Sequence, residues 1–271
     1  MIWVCVTAGV LLLLYILFSL ENRRFETMFT EIRHKKVRSP FRVVQVSDLH
    51  DRAFGKEQEK LIAAIRSAKP DLIVITGDLF NRHNSEACQN AFAFLQNARG
   101  IAPMYFIEGN HECSLDETGE RYIEQVAAYG VCVLRDAYTD IGQCRLIGLK
   151  QHAPQEQLTA MLSEDRLNLV LAHRPERFPI YAETNADVIL SGHAHGGQIR
   201  FGRFGVYAPQ QGFFPKYVTG WYGSDACRMF VSRGLGNTIS FPRVFNTPEL
   251  CVIDFLPETE QKEKQDVCTS C

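Results

Sequence analysis

The sequence predicts an α/β fold behind an N-terminal transmembrane helix. Short continuous runs of apolar, β-branched residues alternate with amphipathic stretches of helical period, and residues 2–20 carry no charge. Continuous apolar runs read as strands buried on both faces, the habit of a largely parallel sheet. Their alternation with helices places helices on both faces of that sheet.

The N-terminal run is IWVCVTAGVLLLLYILFSL. At ~1.5 Å per residue, a helix of that length roughly spans a ~30 Å hydrocarbon core. A cleaved signal peptide would want a basic residue ahead of the run and a small-x-small site behind it. Neither is present, and FSLENRRF is a poor cleavage site. Residues 1–21 are therefore expected to form a single-pass anchor in the cell membrane, with the lipid bilayer as a partner. No Lys or Arg precedes the span, whereas Arg23, Arg24, Arg33, Lys35, Lys36 and Arg38 follow it. By the positive-inside rule the remainder of the chain is cytoplasmic.

Residues 22–40 read as a basic juxtamembrane linker, either touching anionic lipid heads or simply solvated. Residues 41–256 form the globular domain. The final stretch, 257–271, reads as a disordered polar tail. With 271 residues, 46% of them hydrophobic, the chain can bury one sizeable core but not two full-size domains. A net charge of −2 offers no general attraction to nucleic acid, and no nucleic-acid partner is expected. The nine cysteines are scattered, and only the tail CTSC has short zinc spacing, without further ligands nearby. Buried thiols in a reducing compartment fit better than a disulfide framework.

Within the domain, five apolar runs each end in polar residues. FRVVQVSDLH delivers Asp48 and His50, and DLIVITGDLF delivers Asp78. MYFIEGNHE delivers Asn110 and His111, LNLVLAHR delivers His173, and DVILSGHAH delivers His193 and His195. Between the runs, KEQEKLIAAIRSA places Leu61, Ile62 and Ile65 on one helical face. SEACQNAFAFLQNA follows a Ser85 N-cap with Ala91, Phe94 and Leu95, and ERYIEQVAAYG aligns Tyr122, Ile123 and Val126 ahead of Gly130.

One such polar residue is an ordinary turn residue. Five strands delivering Asp, Asn or His to one sheet edge form a site, because ligands of open α/β sheets bind at the carboxyl ends of the strands. Asp48, His50, Asp78, Asn110, His173, His193 and His195 are too many ligands for one catalytic metal, which takes about three protein groups. They suit two divalent ions ~3.5–4 Å apart sharing a carboxylate. A set of carboxylate, imidazole and amide without thiolate fits Mn²⁺, Fe or Zn²⁺. The Asp-x-His and His-x-His spacings serve because residues i and i+2 of extended chain point the same way.

The blocks DLH, GDLF, GNHE, LAHRP and GHAHGG, in this order, resemble the calcineurin-like metallophosphoesterase family over residues 43 to about 250. The runs GGQIRFGRFGVYAPQQGFFPKYVTGWY, SRGLGNT and FNTPEL are similar to its bacterial membrane-associated phosphodiesterase branch. The resemblance implies a β-sandwich flanked by helices. It implies one metal held by Asp48, His50 and His195, a second held by Asn110, His173 and His193, and Asp78 bridging them. His111 is then the catalytic residue, protonating the leaving oxygen or stabilising charge on the phosphoryl group. Two cations lower the pKa of a shared water and neutralise phosphate oxygens for in-line attack.

The implied function is a membrane-anchored, dinuclear phosphoesterase hydrolysing a diester, with a lipid-like phosphate ester as one form of substrate. The competing readings are a pyrophosphohydrolase acting on a nucleotide-linked lipid or sugar, and a non-catalytic metal-binding scaffold. Glu112 reads as a helix-start carboxylate. Arg82 and Arg174 read equally as phosphate contacts or structural ion pairs. The aromatic run with Phe213, Phe214, Tyr217, Trp221 and Tyr222 reads as hairpin core or as an edge facing the membrane interface.

Overall fold

The five apolar runs become strands of two sheets rather than one. The computed structural model describes residues 2–81, 88–237 and 241–258. The Ser85 cap, Arg82 and all but the start of the expected tail lie outside the described residues.

The apolar helix α1 (Ile2–Glu21) leads into strand β1 (Glu26–His34) and then β2 (Phe41–Val46). Helix α2 (Glu59–Ala68), β3 (Leu72–Ile75), α3 (Gln89–Ala98) and β4 (Met104–Phe106) alternate as expected. A short α4 (Asn110–Cys113) and α5 (Asp116–Ala128) precede β5 (Cys132–Val133).

The second half runs through β6 (Ala137–Ile141), β7 (Cys144–Gly148), α6 (Gln155–Met161), β8 (Leu167–Leu171), α7 (Phe178–Tyr181) and β9 (Val188–Ser191). Two small hairpins follow, β10 (Arg200–Phe201) with β11 (Phe204–Gly205) and β12 (Tyr207–Ala208) with β13 (Gly212–Phe213). Strands β14 (Gly220–Ser224), β15 (Cys227–Val231) and β16 (Glu249–Pro257) complete the chain.

One six-stranded sheet has the order β1-β16-β2-β3-β4-β5, the other β14-β15-β9-β8-β7-β6. Side chains alternate along each strand, so the central strands serve two cores. Val43, Val74 and Ile253 of the first sheet meet Leu169, Leu190 and Phe230 of the second in the middle of the sandwich. Their neighbours Val44, Ile73 and Ile75 point outward onto Leu61, Ile65, Phe94 and Val126 of α2, α3 and α5. On the far side, Val170, Ile189 and Met229 pack against Leu158 and Tyr181 of α6 and α7.

The expected single sheet with helices on both faces is thereby corrected to a sandwich with helices outside each sheet. A strand buried on both faces has the same apolar run whether a helix or a second sheet covers its second face. The sandwich implied by the family resemblance is the architecture present.

The linker expected over 22–40 is also corrected, because its middle nine residues are β1. This strand pairs in parallel with β16 from Glu26↔Glu249 to His34↔Pro257. Ile32 is buried in the central core, while Glu31 and Arg33 stay exposed on what is the edge of the sheet. The charges that suggested a solvated linker are those an edge strand carries. None of the described cysteines forms a disulfide.

Candidate metal centre and active site

The residues singled out at the strand ends converge where the carboxyl ends of β2, β3 and β4 face those of β8 and β9. To aim their side chains inward, the loops adopt backbone conformations that L-residues rarely take. Asp48, His50, Asp78, His193 and His195 all have positive φ, from 46° to 67°. Each such residue costs on the order of 1–3 kcal/mol and persists only where its surroundings over-determine it.

The surroundings here do so. Asp48 N–H donates to Gly77 O at 3.0 Å and His50 N–H to Asp78 O at 3.0 Å, so the β2 and β3 loops hold one another. The His193 N–H donates to Asp48 Oδ1 at 3.0 Å, joining the two sheets. Gly77, at φ 90°, has no substitute: a Cβ there would lie 2.6 Å from Gly109 N and 2.7 Å from His173 Nδ1.

The donor atoms form two linked groups. In the first, His50 Nε2 lies 3.3 Å from His195 Nε2 and 4.0 Å from Asp48 Oδ1, and His195 Nε2 lies 3.8 Å from that same oxygen. In the second, His173 Nε2 lies 3.1 Å from His193 Nδ1 and 3.2 Å from Asn110 Oδ1. Asp78 Oδ2 stands between them, 3.7 Å from His50 Nε2 and 3.4 Å from His173 Nε2. The other oxygen, Asp78 Oδ1, accepts the His111 N–H at 2.8 Å, and the His111 ring lies 4.5 Å from that of His50.

The ring nitrogens turned away from the cluster set which nitrogen faces in. His173 Nδ1–H donates to Thr76 O at 2.8 Å, leaving Nε2 for the cluster, and His193 Nε2–H donates to Gln210 Oε1, leaving Nδ1.

The electrostatics suit cations. Burial drives His50 and His193 down to about 3, and His195 well below its ordinary value, so these rings are neutral. Neutral imidazole is the state a metal ligand requires. Burial acts against ionisation of Asp78, yet the charge of His173 and its hydrogen bond hold the carboxyl well below the usual range. For His173, burial is outweighed by Asp78 and Asp48, and the ring rises to about 9. Burial pushes Asp48 itself up to about 6. A proton on His173 thus supplies positive charge that two buried carboxylates demand, and divalent ions would supply more of it. Four imidazoles, two carboxylates and an amide oxygen fit a pair of such ions.

Two contributors, Arg243 and Gln210, escaped the sequence reading, and a third, Glu112, does more than that reading gave it. Glu112 does take the Gly109 N–H at 2.7 Å, as a helix-start carboxylate does, but it also accepts Asp78 N–H at 2.9 Å and Phe80 N–H at 3.0 Å. It therefore clamps the β3 and β4 loops together. Burial and the nearby Asp78 push it up to about 7, against the pull of the Phe80 and Gly109 N–H groups. Arg243 is fully buried and reaches His195 Nδ1 at 3.0 Å. Gln210 reaches the cluster from the β12–β13 loop. No local spacing marks Arg243 or Gln210.

Arg174 pairs with Glu176 at 3.6 Å and donates to Gln151 Oε1 at 2.6 Å, the structural arrangement. The aromatic run divides: Tyr217 is buried and Trp221 and Tyr222 half-buried, whereas Phe213 and Phe214 are exposed.

The sequence model of the calcineurin-like phosphoesterase family matches residues 41–197. The metallophosphoesterase YkuE of Bacillus subtilis is 31% identical over 227 residues, 78% of each chain. The phosphodiesterase YaeI of Escherichia coli is 29% identical over 84% of this chain and 88% of its own. The UDP-2,3-diacylglucosamine pyrophosphatase LpxG of Chlamydia trachomatis is 25% identical over 80% of this chain and 84% of its own.

Proposed function

The chain belongs to the calcineurin-like phosphoesterase family and is a metal-dependent phosphoester hydrolase, and we propose that it is a membrane-anchored phosphodiesterase using two divalent ions. The observation that carries the dinuclear reading is the place of Asp78 Oδ2 between His50 and His173. In this reading Asp48, His50 and His195 hold one ion, Asn110, His173 and His193 hold the other, and Asp78 serves both.

When bound, such ions would lower the pKa of a water and neutralise phosphate oxygens. The protein does the rest. Thr76 and Gln210 fix which nitrogens of His173 and His193 face the ions. Glu112 keeps the Asp78 and Gly109 loops in register. His111, tethered through its backbone to Asp78, protonates the departing alkoxide.

Helix α1 is long and apolar enough to cross a membrane, and its described residues pack against nothing over most of their length. With every nearby Lys and Arg on its C-terminal side, the hydrolase domain faces the cytoplasm. A phosphodiester is favoured by the likeness to YaeI. The likeness to LpxG supports a second reading, in which the scissile bond is the pyrophosphate of a nucleotide-linked lipid.

Purified full-length protein should hydrolyse bis(p-nitrophenyl) phosphate faster than p-nitrophenyl phosphate in Mn²⁺, and a chelator should abolish both reactions. Absence of turnover with Mn²⁺, Fe²⁺ and Zn²⁺ alike would overturn the enzymatic reading. Preference for the monoester would overturn the diesterase reading, and a panel including nucleotide-diphosphate lipids separates the pyrophosphohydrolase.

A further inference from the structure

Exposed aromatic side chains are concentrated in the two small hairpins and at Phe245. Phe201 and Phe204 sit opposite each other in the β10–β11 hairpin, and Tyr207 and Phe213 do so in β12–β13. Phe245 lies 6.4 Å from Phe201, ring to ring. Exposure reaches 73% at Phe213 and 83% at Phe214. Apolar side chains clustered and exposed to this degree mark a contact surface.

The junction with α1 indicates what covers it. Phe245 meets Phe18 of α1 edge-on, with ring centroids 5.3 Å apart. Phe18 precedes the end of α1 at Glu21 by less than one turn, about 5 Å along the axis. The aromatic edge therefore begins at the level of the last turn of the apolar helix. The joint is fixed: Asn22 Nδ2 donates to Arg243 O at 2.9 Å, and Arg243 N–H donates to Asn22 Oδ1 at 2.8 Å. Basic side chains accompany the rings, with the Arg203 guanidinium 5.3 Å from the Phe204 ring. Arg23 and Arg24 are exposed just beyond α1. Rings mixed with Arg and Lys are the composition of a surface that settles at the headgroup layer of a bilayer containing anionic lipids.

The edge is also continuous with the reaction centre. Gln210, which receives the His193 Nε2–H, belongs to the loop that carries Phe213 and Phe214. We propose that this aromatic edge docks on the bilayer surface as an extension of α1, holding the metal cluster against the headgroup layer so that its phosphoester is drawn from an amphiphile in the membrane. The proposal rests on the reading of α1 as an anchor.

The test uses full-length protein in vesicles of phosphatidylethanolamine and phosphatidylglycerol whose acyl chains are brominated near the headgroup. Trp3 lies in α1 and Trp221 in β14, so partial quenching of the wild-type emission reports insertion of α1. Emission added by Phe214→Trp should be strongly quenched. Emission added by Arg99→Trp, in the exposed turn that enters β4 at the opposite strand ends, should not. Equal quenching of the two additions overturns docking. Absence of any quenching of the wild-type emission overturns the anchor instead.

The substrate half is tested with Phe213→Ser combined with Phe214→Ser. Turnover of bis(p-nitrophenyl) phosphate should be unchanged, while kcat/KM for dodecyl p-nitrophenyl phosphate carried in the vesicles falls several-fold. Unchanged turnover of the vesicle-borne ester overturns delivery from the membrane.

Discussion

The guanidinium of Arg243, fully buried, lies 3.0 Å from Nδ1 of His195. Nε2 of the same ring is turned toward His50. The same guanidinium donates to Arg233 O at 2.7 Å, to Gly234 O at 3.1 Å and to Gly236 O. That loop in turn supports the Asp48 turn, since Leu235 N–H donates to Ser47 O at 2.9 Å. Burial lowers the arginine to about 10, so it remains charged at neutral pH.

Arg243→Met should therefore be costly twice over. Each carbonyl left unmet costs about 1–3 kcal/mol, so the melting temperature falls. Affinity for the ion held by Asp48, His50 and His195 should drop by ~10–100-fold, the usual effect of losing a partner behind a metal ligand. Thermal melts and metal titrations that match wild type would remove Arg243 from this role.

Asp78→Asn should release at least one ion and most activity, because one carboxylate oxygen faces both donor groups. Elemental analysis decides the matter. Two ions retained with normal turnover would end the bridging assignment.

For His111→Ala the expectation is different: both ions stay bound and turnover slows by ~10²–10⁴-fold, the usual scale of general-acid effects. The loss should be smaller for p-nitrophenyl esters, whose leaving group needs no proton. Equal losses on alkyl and p-nitrophenyl esters would assign His111 to charge stabilisation or positioning.

Glu112→Gln sets an amide NH₂ against N–H donors that now meet carboxylate oxygens. At least one of the three contacts is lost, with a destabilisation of about 1–3 kcal/mol. Denaturant unfolding of the metal-free protein measures it. A variant as stable as wild type would show that the clamp contributes little.

Orientation is tested in cells. Protease added outside intact cells should leave the domain uncut, and a C-terminal green fluorescent fusion should fluoresce. Digestion from outside with a dark fusion would place the domain across the membrane.

The sequence by itself determined the apolar strands, the helical faces of α2, α3 and α5, and the polar residues that end each strand. These are local properties: burial on two faces writes a continuous apolar run, and i, i+2 spacing in extended chain sets two side chains on one side. The apolar runs left open whether the strands belong to one sheet or two, since either cover leaves the same run. Beyond the family resemblance, only the tertiary structure decided it. It alone decided that residues 26–34 are a strand, because their partner β16 lies at the other end of the chain. The bond from Asn22 to Arg243 spans 221 residues and that from Arg243 to His195 spans 48, distances over which no period or spacing carries a signal. The exposure of Phe213 and Phe214 beside buried Tyr217 was decided in the same way, since Tyr217 packs on Phe178, far from it in sequence.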